Sequence, residues 1–316
     1  MKKMIPLFTV AILFLFLLID PIHTLEASKS GLMLWFDVLL PTLLPFLIVS
    51  QLILKTPLIE YVEKIFGKVF SFLFHCSKNG AFCILCGFLC GYPVGARLIT
   101  LQIQEEKLSV SEGQYLLAFC NNVSPMFCIS YGILYGIGSS EILPYLVIIY
   151  GSALIFGLLT RPAKNTYTAS VTKKQTPSSE NIFQLIDVCI IDSFLIMIKL
   201  CGYLILFSII CKGIQIVIPN NYDDTLPLLN SLLEITGGIS GLSTLSLGTL
   251  RTAACISALS FGGLCCILQT YSVIRESDLS IGKYTFHKVM ITLLSLFFYF
   301  LWQFFFNYFF TINRRC

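Results

Sequence analysis

The apolar stretch from about Gly80 to Gln104 is interrupted at its middle by Gly91-Tyr92-Pro93-Val94-Gly95, with Arg97 close behind. A straight helix of ~25 residues would cross the ~30 Å hydrocarbon core of a bilayer once. Pro93 removes a backbone donor and its ring collides with the preceding turn. The segment is therefore expected to form two half-helices of ~10 residues, each reaching about the midplane. Irregular backbone at that depth is tolerated only where protein or a water-filled cavity surrounds it. In transporters such breaks hold substrate, because half-helix N-termini direct N–H groups and a positive dipole end at anions. Arg97 adds a fixed positive charge there. The structural alternative is a proline-kinked spanning helix that serves packing alone.

Only 12% of the 316 residues are charged and 56% are hydrophobic, with 27 Phe. Soluble domains carry about a quarter charged residues, so this composition defines an all-α polytopic membrane protein whose first partner is the lipid bilayer. Nucleic acid is not expected as a partner. The Lys and Arg sit in short loops, and no basic patch is interleaved with aromatics. Thirteen Cys lie mostly in apolar segments, where Cys behaves as a small hydrophobe. Cys83, Cys86 and Cys90 form one helical stripe, but no His or carboxylate completes a metal set. There is also no His-Glu-x-x-His, no Ser/His/Asp constellation and no phosphate-binding glycine loop. An enzyme is not expected, and no metal or cofactor is implied.

Five parts follow along the chain. Residues 1–30 read as a retained N-terminal membrane helix, over Met1 to Ile19, and an external loop. Residues 31–160 form a first transmembrane half containing the broken segment 80–104. In it, Pro41 and Pro45 bend the first strong span, and Leu58 to Phe74 is amphipathic with Tyr61, Ile65, Val69 and Phe72 on one face. That helix is expected to lie in the interface plane. Glu105, Glu106, Lys107 and Glu112 are expected to be solvated, and Asn121-Asn122-Val123-Ser124-Pro125 breaks the next span. Residues 161–181 are a polar cytoplasmic linker. Residues 182–286 form a second half with a broken segment at 228–250, read from the small-residue run Glu234-Ile-Thr-Gly-Gly-Ile-Ser-Gly. A second break follows at Phe261-Gly262-Gly263, before Gln269. Residues 287–316 are a C-terminal aromatic helix and tail.

Two halves, each with a broken segment followed by a second broken span, suggest an inverted repeat. About seven transmembrane helices plus two broken re-entrant helical hairpins are expected. Lys and Arg counts place the N-terminus, 55–107, 161–174 and 275–288 in the cytoplasm, with Lys29, Lys212, Asp223 and Asp224 outside. Arg314 and Arg315 then fall outside, against the rule. Lys199 lies deep in an apolar helix and needs a partner or a snorkelling route.

The intramembrane polar and break residues define a candidate substrate site: Gly91, Tyr92, Pro93, Gly95, Arg97, Asn121, Asn122, Ser124, Glu234, Thr236, Gly237, Gly238, Gly262, Gly263 and Gln269. Amides and hydroxyls orient a small polar molecule in an otherwise apolar pocket. Arg97 suggests that the molecule is anionic, since a guanidinium pairs bidentately with a carboxylate. Glu234 either pairs with Arg97 or Arg251, or takes up a coupling proton.

Leu-Pro-Thr-Leu-Leu-Pro-Phe at 40–46, Gly-Tyr-Pro-Val-Gly-Ala-Arg at 91–97, Cys-Asn-Asn-Val-Ser-Pro at 120–125, Glu-Ile-Thr-Gly-Gly at 234–238 and Phe-Gly-Gly-Leu at 261–264 together resemble the YlbJ-type sporulation integral membrane proteins. These belong with the nucleoside-recognition (Gate) domain proteins. The resemblance runs from about residue 30 to 290. Asn-Val-Ser-Pro departs from the more usual Asn-x-Gly-Pro, which bears on Ser124 and leaves the proline break intact. The resemblance implies a role late in sporulation, at the outer forespore membrane. It further implies movement of dipicolinic acid, a pyridine dicarboxylate, from mother cell toward forespore. A nucleoside or nucleobase carrier and a non-transporting sporulation scaffold stand as the alternatives, and homo-oligomer formation is left open.

Overall fold

In lipid every backbone polar group must be satisfied within its own segment, which leaves the long apolar runs of this chain one solution, the helix. The computed structural model describes residues 14–163, 182–218, 225–246 and 248–313, and among them it is all helical. Most of the expected N-terminal helix over Met1–Ile19 lies outside the described residues, as do most of the 161–181 linker, Asp223, Asp224, Arg314 and Arg315.

The elements are α1 (Pro21–Leu34), a π-helical turn at Trp35–Leu39, α2 (Leu40–Lys55), α3 (Leu58–Phe74), α4 (Lys78–Cys90), α5 (Val94–Gln104), α6 (Val110–Cys120) and α7 (Pro125–Phe127). The last runs on into a π-helical stretch, Cys128–Ile137. Then come α8 (Leu143–Leu159), α9 (Ile182–Val217), α10 (Thr225–Leu233), α11 (Ile235–Ser243), α12 (Gly248–Phe261), α13 (Gly263–Ile274) and α14 (Ile281–Asn313).

Five helical runs are long and apolar enough to cross a membrane: Pro21–Ile53, Val110–Ile137, Ile182–Val217, Gly248–Ile274 and Ile281–Phe305. A sixth arises if Lys64–Phe74 and Lys78–Cys90, bent by 100°, count as one span. The count is of the described residues; most of the expected first helix, Met1–Ile19, lies outside them. The 17 residues of α8 give only ~25 Å of helix.

The first span runs alongside α9 in the opposite sense. Lys55 pairs with Asp192 at one end (3.1 Å) and Lys212 with Glu26 at the other (3.1 Å). Between Asp192 and Lys212, α9 rises about 30 Å, the hydrocarbon thickness. Lys199, between them, is exposed and reaches outward. The π turn at Trp35–Leu39 accommodates Pro41. Widening the helix there relieves the clash of the ring with the carbonyl four residues back, and the Thr42 hydroxyl donates to the freed Val38 carbonyl at 2.6 Å.

Helix α3 turns Tyr61, Ile65, Val69 and Phe72 outward, 55 to 73% exposed, while Phe74 is buried. An apolar stripe facing away from the protein requires lipid, in keeping with an interfacial helix.

The two broken segments double back. Helices α4 and α5 pack against each other, as do α10 and α11. The second breaks do not fold back, so Val110–Ile137 and Gly248–Ile274 continue in one direction. Neighbours are exchanged between halves. Helix α5 packs on α6 of its own half and on α13 of the other, while α11 packs on α12 and on the Cys128–Ile137 stretch.

One charge departs from expectation. Glu112 is 2% exposed rather than solvated, and its Oε1 accepts the Ser77 backbone N–H at 2.6 Å, just before α4. It compensates the start of a half-helix.

Candidate functional site

Four helix interruptions come together at one place. At the first, Gly91 has φ +76°, and a Cβ there would lie 2.6 Å from the backbone nitrogen of Ser124 in the second. Only glycine fits both demands. The Tyr92 N–H donates to the Asn122 carbonyl at 2.8 Å, joining the same two interruptions. At the fourth, Gly262 has φ +87°, and a Cβ would meet the Tyr92 hydroxyl at 2.6 Å. Gly263 lies against the Leu233 carbonyl, beside the third interruption at Glu234. The run Gly237-Gly238, expected to break its segment, is helical within α11. Gly238 instead permits the close approach of α10, where a Cβ would be 2.2 Å from the Ser231 Cα.

A cavity opens where these interruptions meet. Its polar lining is Tyr92, Ser124, Glu234, Thr236 and Gln269, and its apolar wall includes Leu39, Leu43, Leu200 and Leu204. The room inside is about 30 Å³, enough for one or two waters. A ring-sized solute enters only if the surrounding helices part.

The polar groups divide into satisfied and unsatisfied. Glu234 caps α11, its Oε1 accepting from the Thr236 N–H (2.7 Å) and Oε2 from the Gly237 N–H (2.6 Å). The expected pairing with Arg97 or Arg251 is not formed. Arg251 donates to the carbonyls of Ile137, Ser243 and Leu245, and Arg97 is half-buried and does not line the cavity. Gln269 Nε2 donates to the Cys265 thiol at 3.2 Å. The Tyr92 and Thr236 hydroxyls are buried without a well-formed hydrogen bond: the Cys266 thiol stands near the first and the Glu234 carboxylate near the second. A buried hydroxyl left unmatched costs free energy that a ligand can return.

Asn121 and Asn122 stand behind the cavity and do not line it. Asn121 Nδ2 donates to Thr270 Oγ1 and to the Tyr284 hydroxyl, both at 3.0 Å, while its Oδ1 accepts from the Ala96 N–H at 3.3 Å. Asn122 Nδ2 donates to the Phe119 carbonyl at 2.5 Å. Pro93 and Gly95 complete the first interruption, with Gly95 against Asn121 Oδ1.

Lys288 is absent from the set read in the sequence, where it was placed in a cytoplasmic stretch. It is fully buried on α14, and its Nζ donates to the Asn121 carbonyl (3.2 Å) and to Asn122 Oδ1 (3.1 Å). Tyr284, one turn earlier, is also fully buried on that face. Two polar residues four apart in an aromatic helix are a signal that a charge count by loops passes over. No cluster of three metal-ligating side chains occurs among the described residues.

The fold and its centre define a class: a polytopic, all-helical integral membrane protein whose interrupted helices assemble a buried polar cavity. Within that class, the chain is 25% identical to the sporulation integral membrane protein YlbJ of Bacillus subtilis (strain 168), over 85% of this chain and 76% of that protein. This homology bears out the resemblance to the YlbJ-type proteins. No protein-family model matches the chain, and no solved structure matches it.

Proposed function

We propose that this chain is a membrane transporter of a small organic anion, with the meeting point of the four interruptions as its substrate site. The observation that carries the reading is the cavity itself. Five polar side chains line it, one from each of the first two interruptions, two from the third, and Gln269 from α13, and the Tyr92 and Thr236 hydroxyls have no well-formed hydrogen bond. In this reading the substrate is dipicolinic acid, moved from mother cell to forespore across the outer forespore membrane, with the N-terminus cytoplasmic; the relative supports the sporulation setting alone. The exchange of neighbours between halves supports two inverted repeats that rock about this centre. Its closed state fits one end of an alternating cycle.

Uptake of labelled dipicolinate into proteoliposomes tests the proposal, with labelled uridine as competitor. Dipicolinate uptake that uridine does not inhibit supports it. A nucleoside or nucleobase carrier is the second reading. It is favoured by the cavity's hydroxyl and amide lining, whose one ionisable carboxylate, Glu234, would repel anions, and it predicts uridine uptake alone. A non-transporting scaffold predicts neither, together with normal sporulation when Tyr92, Ser124, Thr236 and Gln269 are replaced by apolar residues.

A further inference from the structure

The geometry points to Lys288, rather than Arg97, as the charge that pairs with a carboxylate of the substrate; this rests on the anion-transport reading above. Lys288 is 0% exposed, inside a helical run apolar enough to span the membrane. An ammonium in such a place is costly unless it is paired. Among the described residues no carboxylate forms an ion pair with it. Of its three protons, two go to neutral acceptors, the Asn121 carbonyl and Asn122 Oδ1. The Tyr92 ring lies 5.6 Å from Nζ, and its face supplies a further, weak attraction. The full compensation of a buried cation requires an anion, and none is built in.

The place of Lys288 makes a ligand the natural source of that anion. Tyr92, which lies beneath the ammonium, lines the cavity and holds its hydroxyl there without a well-formed hydrogen bond. Asn122, which accepts from the ammonium, stands two residues before Ser124, another lining residue. A carboxylate entering the cavity meets Tyr92, the lining residue over which Nζ stands, and the Glu234 carboxylate faces the same space. Lys288 does not itself line the cavity but stands over the ring of Tyr92, which does; Arg97, half-buried beyond the first interruption, lines no part of it either.

Equilibrium binding to the purified full-length protein in detergent, with folding checked by size-exclusion profile and Tm, decides the matter. The probes are dipicolinate and its uncharged analogue, pyridine-2,6-dicarboxamide. Lys288→Gln is expected to weaken dipicolinate binding at least tenfold and to leave dicarboxamide binding unchanged, while Arg97→Gln leaves both near wild type. Because Lys288→Gln alters two buried hydrogen bonds, Asn122→Asp provides an independent arm. It places a carboxylate where Oδ1 now accepts from Nζ, neutralises the ammonium internally, and is expected to give the same selective loss. Dipicolinate bound equally well by wild type and by a folded Lys288→Gln or Asn122→Asp protein overturns the inference and leaves the anion reading standing. A wild-type protein that binds no dipicolinate overturns both.

Discussion

Tyr92 and Thr236 each bury a hydroxyl without a well-formed hydrogen bond, whereas both polar atoms of the Asn121 side chain are engaged. The two kinds of residue should separate on mutation. Tyr92→Phe and Thr236→Val remove only the unmatched oxygens, so stability should stay within about 0.5 kcal/mol or rise, while substrate uptake falls about five- to tenfold per hydroxyl. Melting temperature and proteoliposome uptake, measured on the same preparations, read both effects. Asn121→Ala should behave oppositely, losing about 1–3 kcal/mol because the Ala96 N–H loses its acceptor and the Thr270 and Tyr284 hydroxyls each lose a donor. An Asn121→Ala protein with unchanged Tm would remove the structural role assigned to it. The sequence made the amides conspicuous, since Asn121-Asn122 in an apolar run demands partners. It did not disclose that they hold the site from behind, nor that Lys288 reaches them from α14, because those are contacts between segments more than 160 residues apart.

Interruptions are the unit of construction at the level of elements. Gly91 and Gly262 carry positive φ and face close neighbours, so Gly262→Ala should lower Tm or abolish a monodisperse preparation, through backbone strain and collision with Tyr92. Gly202→Ala, where nothing lies within 4 Å of the added Cβ, is the matching control and should be tolerated. Glu234→Ala should cost about 1 kcal/mol as the loss of a helix cap, a shift visible in thermal unfolding. Proline made the interruptions near 93 and 125 legible from the sequence. The third was legible only approximately. Gly237-Gly238 was taken for the break, yet glycine permits a bend without requiring one, and tertiary packing kept that run helical while Glu234 capped its start. The amphipathic period of α3 was fully readable because lipid, like solvent, leaves a single apolar stripe.

For the whole molecule, the packing shows two doubled-back helix pairs, α4 with α5 and α10 with α11, and the helical runs Val110–Ile137 and Gly248–Ile274. Five to six spans are found among the described residues, and the 17-residue α8 lies at the short end of what can cross a bilayer. The bracketing of α9 by Lys55–Asp192 and Glu26–Lys212 sets a topology test. An epitope inserted within 164–181 should be reached only from the cytoplasmic side, and one within 219–224 only from the opposite side, in antibody accessibility assays on intact and permeabilised cells. Accessibility of both from one face would remove the crossing assigned to α9.

The first turns of the half-helices are closed by the protein's own groups: Glu234 on α11, Asn121 on α5 and Ser124 on α7, which caps the Phe127 N–H at 3.4 Å. The cavity between them has room for only one or two waters. The resting protein should therefore be electrically tight. Vesicles containing it should hold an imposed pH gradient as long as protein-free vesicles, as followed by an entrapped pH-sensitive dye, and lose that insulation only when substrate opens the centre.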